Sequence, residues 1–282
     1  MNAVVVEVAN TIVKRSAQSR KSYLDNLERQ ASKGKLRAGL ACGNLAHTVA
    51  ASTTEEKASI LDFTKVNLAI VTAYNDMVSA HQPYLYYPDV IKRALLPLGN
   101  TAQVAGGVPA MCDGITQGND GMELSLFSRD LIAQSTAMSL SHNTFDGTLL
   151  MGVCDKIAPG QLMGALAFGH LPSAFVPSGP MATGLSNDEK VSTRQKYVAG
   201  EVDKSALLAM ECKAYHSAGT CTFFGTANTN QLVLEAMGLM LPGSAFVSPT
   251  DPLREKLTEK IAQHIASLSG YHRSPKALGH VV

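Results

Sequence analysis

The stretch Leu149-Leu150-Met151-Gly152-Val153-Cys154-Asp155-Lys156-Ile157-Ala158-Pro159-Gly160 decides how this chain is read. It opens as an apolar run of strand type and stops at three adjacent residues that can each bind or tune a metal. Pro159 and Gly160 read as a turn into an apolar, helix-like segment. A strand that ends in Cys-Asp-Lys ahead of a helix puts reactive side chains at the carboxyl edge of a sheet, where open α/β proteins place their ligands. The same residues also read as a buried thiol beside an Asp–Lys ion pair in a loop.

Outward from this stretch the chain repeats the pattern. Residues 66–74 form a strand-like run followed by the polar loop 75–81, and residues 84–97 have helical spacing, with Leu85, Val90, Ile91, Leu95 and Leu96 as core candidates. A second strand, Thr101 to Val108, leads into the glycine-rich loop 111–121, and a long helix then runs to about Asn143. After the Cys154 strand come a helix over 161–169 and a strand over 173–176. Strands alternating with helices predict an α/β fold, a mostly parallel sheet flanked by helices. Loops 75–81, 111–121 and 154–160 all follow strands, so they are expected at one edge of it.

Residues 1–64 read as a helical N-terminal extension and residues 65–282 as the α/β domain. The extension's main helix, over 8–34, has only a weak apolar face (Ile12, Val13, Tyr23, Leu24, Leu27), which suits packing outside the main body or against a partner subunit. Cys42 falls in a turn-like segment with His47. Residues 184–204 are charged and read as a solvated excursion. A helical pattern over 204–216 places Cys212 in the core, and Cys221 follows in a loop or strand. Two more helices are expected, over 231–240 and 252–268.

Composition narrows the function. The formal net charge is +1, which offers no basis for binding nucleic acid or an anionic membrane. No run of about 18 apolar residues occurs, and Met1 to Arg20 lacks the order of a signal peptide, so a cytoplasmic protein is expected. The five cysteines are an odd number without a C-x-x-C pair, which suits thiols or metal ligands better than disulfides or a zinc ribbon.

Two chemistries fit these residues. Thiolates on separate loops, such as Cys154 and Cys221, can hold an iron–sulfur cluster, whose incompletely ligated iron acts as a Lewis acid. Asp113 and Asp155 would suit a hard divalent ion such as Mg²⁺. A cysteine nucleophile served by His47, His81 or His142 is equally permitted by spacing.

Three motifs in register go further: Gly152-Val153-Cys154-Asp155-Lys156 with Pro159-Gly160, Cys112-Asp113-Gly114-Ile115 with Gly121-Met122, and Gly219-Thr220-Cys221 with Thr226-Ala227-Asn228-Thr229. Together they resemble the dihydroxy-acid/phosphogluconate dehydratase family of iron–sulfur enzymes, nearly throughout from Leu40 onward. Residues 72–84 and Phe168-Gly169-His170-Leu171-Pro172 resemble its phosphogluconate branch. The resemblance implies that Cys154 and Cys221 are ligands of a cluster, most simply 4Fe-4S. It also implies that Asp113, Asp155 and Lys156 bind a divalent ion such as Mg²⁺, the lysine as its carbamate. The dihydroxy-acid branch has a further cysteine where this chain has Ala80, so the resemblance leaves the third cluster ligand open; Cys112 is the candidate replacement, and also reads as a packed thiol.

Asn75, Ser79 and His81 are candidate substrate contacts. His142 and Asn143 read as ordinary loop hydrogen-bond formers, and Arg129 as either a phosphate ligand or a structural cap. The activity implied is dehydration of 6-phospho-D-gluconate to 2-dehydro-3-deoxy-6-phosphogluconate, in the Entner–Doudoroff pathway, by a homodimer. Family members carry a C-terminal domain that supplies the catalytic base. This chain therefore reads as an N-terminal portion, inactive alone on one reading. Ala80 weighs against the rival substrates, a non-phosphorylated sugar acid or a dihydroxy acid.

Overall fold

The computed structural model describes residues 2–182, 184–221 and 226–269. The sequence pattern starts the first helix at residue 8, but a cap moves that start forward. Asn2 accepts a hydrogen bond from the Val4 amide at 2.9 Å and begins α1 (Ala3–Ala31). Leu27 is the buried residue of this helix, and the Tyr23 hydroxyl ties it to the body by donating to the Leu166 carbonyl at 2.9 Å. A 3-10 turn at Leu36–Gly39 then carries Arg37 into the interior. There its guanidinium meets Asp146 at 3.1 Å and donates to the Lys65 carbonyl at 2.9 Å. Asp146 also accepts from the Asn67 amide at 2.9 Å, so this buried pair ties the extension to the start of the sheet.

Cys42 opens α2 (Cys42–Val49) and is exposed, where the sequence suggests a turn. A Thr53–Glu56 capping box starts α3 (Thr54–Leu61). Then come β1 (Asn67–Thr72), α4 (Tyr87–Leu95), β2 (Thr101–Gly107), the short α5 (Asp113–Thr116), α6 (Ser128–Leu140), β3 (Gly147–Met151), α7 (Ile157–Leu166) and β4 (Ser173–Phe175). The chain continues through α8 (Asn187–Val198), α9 (Lys204–Ala214), α10 (Ala227–Ala236) and α11 (Pro252–Leu268).

The expected α/β architecture is present. Among the described residues the four strands form one parallel sheet in the order β2-β1-β3-β4, with Ile70 level with Val104 on one side and Leu149 on the other. All five residues of β3 are buried, as a strand covered on both faces must be. Alternate residues feed two cores. Ala69, Val71 and Leu150 pack with Ile132 of α6 and Ile157 and Ala165 of α7. Leu68, Ile70, Leu149 and Met151 pack with Ile91 and Leu95 of α4 and Ile261 and Ile265 of α11. No helix among the described residues is long and apolar enough to cross a membrane.

Local chemistry accounts for the differences from the sequence reading. Pro159 and Gly160 lie inside the first turn of α7 rather than before the helix, because proline lacks only an amide hydrogen that the first turn leaves unbonded anyway. Residues 187–198 form a helix with no buried side chain, started by a Ser186–Glu189 capping box. Leu85 and Leu96 are exposed, whereas Val90, Ile91 and Leu95 enter the core. Cys212 is exposed rather than in the core. The buried residues of α9 are Met210 and Ala214, and two residues of helix turn Cys212 about 200° away from Met210.

The contact of α6 with α7 depends on Gly160 and Gly164, one turn apart on the same face. A methyl group on Gly164 would stand 2.6 Å from the Ala133 carbonyl oxygen and 2.6 Å from Thr136 Cβ. Backbone cannot yield as a flexible side chain can. Gly164→Ala is therefore expected to cost about 1–3 kcal/mol by overpacking, read as a lowered midpoint in denaturant. A midpoint equal to that of the parent chain would show that the helices do not meet this closely.

Candidate active site

Four parallel strands send their outgoing loops to one edge, and loops 75–81, 111–121 and 154–160, with the side chains singled out on them, emerge there. Just beyond β3, Gly152 leaves no room for a side chain, since a Cβ would lie 2.3 Å from Gln161 Oε1 and 2.5 Å from Ile157 Cγ2. Gln161 reaches back from α7 to donate to the Val71 carbonyl at 3.1 Å. The turn that follows bends sharply. Cys154 has φ of +72°, and only Asn143 shares a positive φ among the described residues other than glycine. That conformation costs an ordinary side chain about 1–2 kcal/mol, so neighbouring contacts must hold it.

Cys154 is buried, and burial pushes its thiol well above the ordinary value. Cys112 and Cys221 lie near enough that their charges would push it further, as would Asp155, while Lys156 acts in the opposite direction. Cysteines from three separate segments thus lie within electrostatic reach of one another. Cys112 immediately precedes α5 and packs against the core cluster that contains Cys154 and Ala80. The segment before Cys221 is held in three ways. Thr220 bridges to Pro180, the Gly219 amide donates to the Ser79 carbonyl at 2.8 Å, and Asn228 at the start of α10 donates to the Cys221 carbonyl at 2.8 Å. Asn228 also accepts from the Thr220 hydroxyl at 2.7 Å.

Beside the thiols lies a charged triad. The Lys156 side chain is 3% exposed, against 28% for Asp113 and 39% for Asp155. Its ammonium donates to Asp113 and, at 2.9 Å, to Asp155. Burial alone would lower the Lys156 pKa, but its two carboxylate partners outweigh burial and raise it. Asp113 moves the opposite way. Burial would raise its pKa, yet hydrogen bonds from Lys156 and from Ser125, at 2.7 Å, hold the carboxyl below its usual range. The Lys156 ammonium thus lies between the two carboxylates that the resemblance assigns, together with the lysine as its carbamate, to a divalent ion. Among the described residues, no three His, Cys, Asp or Glu side chains are grouped to hold a single ion.

The other expected residues fall as follows. The Asn75 side chain accepts from the Met77 and Val78 amides at 2.8 and 3.1 Å, shaping loop 75–81. His81 is wholly buried; Val153 donates its amide hydrogen to Nε2 at 3.2 Å, and burial lowers the imidazole pKa to about 4. Arg129 Nη2 donates to the Asp155 carbonyl at 3.4 Å. His142 and Asn143 lie between α6 and β3, and so enter the sheet at its opposite edge. Sequence reasoning missed Ser125, Gln161 and Asn228 as positioning groups. Only Asn228 carried a signal, as part of the motif after Cys221.

Comparison with known proteins shows the family. Residues 65–279 match the profile described as dihydroxy-acid/6-phosphogluconate dehydratase, N-terminal. The chain belongs to this family. It is 55% identical over all 282 residues to the phosphogluconate dehydratase of Escherichia coli (strain K12), and 51% over 282 residues to that of Zymomonas mobilis. It is 33% identical over 215 residues, 74% of the chain, to the dihydroxy-acid dehydratase of Akkermansia muciniphila. The chain spans 47%, 46% and 38% of these three relatives.

The triad sets up a test by double substitution. Asp113→Asn or Asp155→Asn alone leaves Lys156 one carboxylate, and each is expected to cost about 1 kcal/mol. Together they strand a buried ammonium, and the pair is expected to cost about 3–5 kcal/mol in denaturant unfolding, well above the sum. Additive costs would show that the two carboxylates act independently.

Proposed function

We propose that this chain is the cluster-binding portion of a hydro-lyase that converts 6-phospho-D-gluconate to 2-dehydro-3-deoxy-6-phosphogluconate, the dehydration step of the Entner–Doudoroff pathway. One observation carries the reading: 55% identity across the whole chain to a phosphogluconate dehydratase. Residues 65–282 are the functional domain and residues 1–64 its helical extension. We place the protein in the cytoplasm, where thiols stay reduced, as a homodimer, the commonest closed assembly.

The donor set suits an iron–sulfur cluster, most simply 4Fe-4S. Three thiols from three segments match its preference for cysteine, and a buried thiol ionises readily only beside positive charge. Cys154 and Cys221 are the ligands, with Cys112 as the third. When bound, the cluster would supply a Lewis acid for the departing hydroxyl. Asp113, Asp155 and Lys156 as they stand do not fit Mg²⁺, since the ammonium is bonded to both carboxylates and would repel the ion; the ion would require Lys156 as a carbamate.

The chain's own residues have three tasks. Lys156 favours a Cys154 thiolate through its charge. Ser125 and Lys156 keep Asp113 ionised. Asn75 and Ser79, on the loop beside them, are proposed to contact substrate. In the reaction the C2 proton leaves to a base, the C3–O bond breaks with loss of water, and the enol tautomerises to the ketone. We assign that base to the half of the relatives' length that this chain does not span. A cysteine hydrolase with Cys154 as nucleophile is disfavoured, because its raised pKa leaves little thiolate at neutral pH.

Purified without oxygen, the chain is expected to contain iron and acid-labile sulfide and to absorb in the visible. Cys154→Ser and Cys221→Ser should abolish both, and loss in Cys112→Ser would identify the third ligand. In a chain extended to the relatives' length, dehydration of 6-phosphogluconate should exceed that of gluconate. Colourless, iron-free protein from the extended chain would overturn the cluster, and a preference for gluconate would overturn the substrate.

A further inference from the structure

We propose that His81 is a positioning residue, whose imidazole accepts the Val153 amide hydrogen at Nε2 and so fixes the turn that presents Cys154 to Cys112 and Cys221. The proposal deepens the cluster reading but rests on contacts that exist without a cluster.

Three observations carry it. First, Val153 lies beyond the ladder of β3. The last bond of that ladder runs from the Ala73 amide to the Met151 carbonyl at 2.8 Å. Val153 is wholly buried, so its amide needs an acceptor that the sheet no longer provides. His81 Nε2, 3.2 Å away, is that acceptor. Second, the next residue is Cys154, held at φ of +72°. Anchoring the preceding amide restrains the backbone just where a non-glycine residue would relax to a negative φ.

Third, the histidine is used in a way that a merely space-filling ring would not require. A neutral imidazole that accepts at Nε2 carries its hydrogen on Nδ1. His81 Nδ1 is buried with no hydrogen-bond partner among the described residues. A buried polar atom left unpaired is unfavourable and calls for a reason. Here the reason is the other nitrogen, since an apolar ring of the same size would leave Val153 without an acceptor. The same loop also reaches the Cys221 segment, through the Ser79 carbonyl and the Gly219 amide. Loop 75–81 thus contributes no thiol of its own and braces two loops that do.

The first test uses the unmodified chain. In ¹⁵N-histidine-labelled protein at neutral pH, with the signal assigned by its loss in His81→Gln, His81 should be the neutral tautomer protonated at Nδ1. Protonation at Nε2, or a cation, would overturn the proposal. The second test follows alkylation of Cys154 by iodoacetamide in cluster-free protein, mapped by mass spectrometry. His81→Leu should speed labelling of Cys154 about ten-fold, the scale of one lost hydrogen bond acting on a local opening, with Cys112 unchanged. His81→Gln keeps an acceptor and should restore protection.

A folded His81→Leu chain that protects Cys154 as the parent does would overturn the proposal, as would failure of His81→Gln to restore protection. If His81→Leu does not fold, the tautomer decides. Iron content measured on the same variants separates the two readings. A parent chain that never takes up iron, even at the relatives' length, counts against the cluster, whereas the tautomer and alkylation results decide on His81 regardless.

Discussion

Parallel pairing is the constraint on which the rest of this structure depends. Strands β1, β2 and β3 run side by side in one direction, so each must release its chain at the same edge. Each return then requires a helix on a face of the sheet. The candidate residues lie far apart in sequence, from Asn75 to Cys221, yet this rule alone delivers most of them to one place. Helices packed behind the edge also set how near the loops approach. Gln161 and Ile157 of α7 press against Gly152, and Asn228 of α10 holds the backbone of Cys221.

At that edge, burial and charge are arranged with opposite signs. Cys154 is buried among apolar neighbours that disfavour its thiolate, and Lys156 is the nearby charge that favours it. Lys156 is itself buried and is kept ionised by two carboxylates that reach toward solvent. The result is a thiol that is unreactive by itself but suited to a positively charged partner.

The stretch from Leu149 to Gly160 was legible because an apolar run and a reactive loop differ sharply in composition. The amphipathic α11 was legible because its 3.6-residue period is clear. The course of α8 was not, because a helix that buries nothing has no period to read; its Ser186–Glu189 box was its only mark. The start of α7 was hidden by Pro159, whose turn-forming habit is equally at home in a first helical turn. Cys212 shows the limit of helical spacing, which predicted the helix but not which of its faces meets the core. In the site, Cys154, Cys221, Asp113, Asp155 and Lys156 could be picked out by type and motif. Ser125 could not, because its bond to Asp113 arises only when the chain after α5 folds back.

The central claim is that Cys112, Cys154 and Cys221 share one site while Cys42 and Cys212 stand apart. It is tested most directly by treating cluster-free protein with dibromobimane, which bridges neighbouring thiols, and mapping the linked peptides. The account predicts bridges only among Cys112, Cys154 and Cys221. Bridges that join any of these to Cys42 or Cys212, or an absence of bridges among the three, would contradict it.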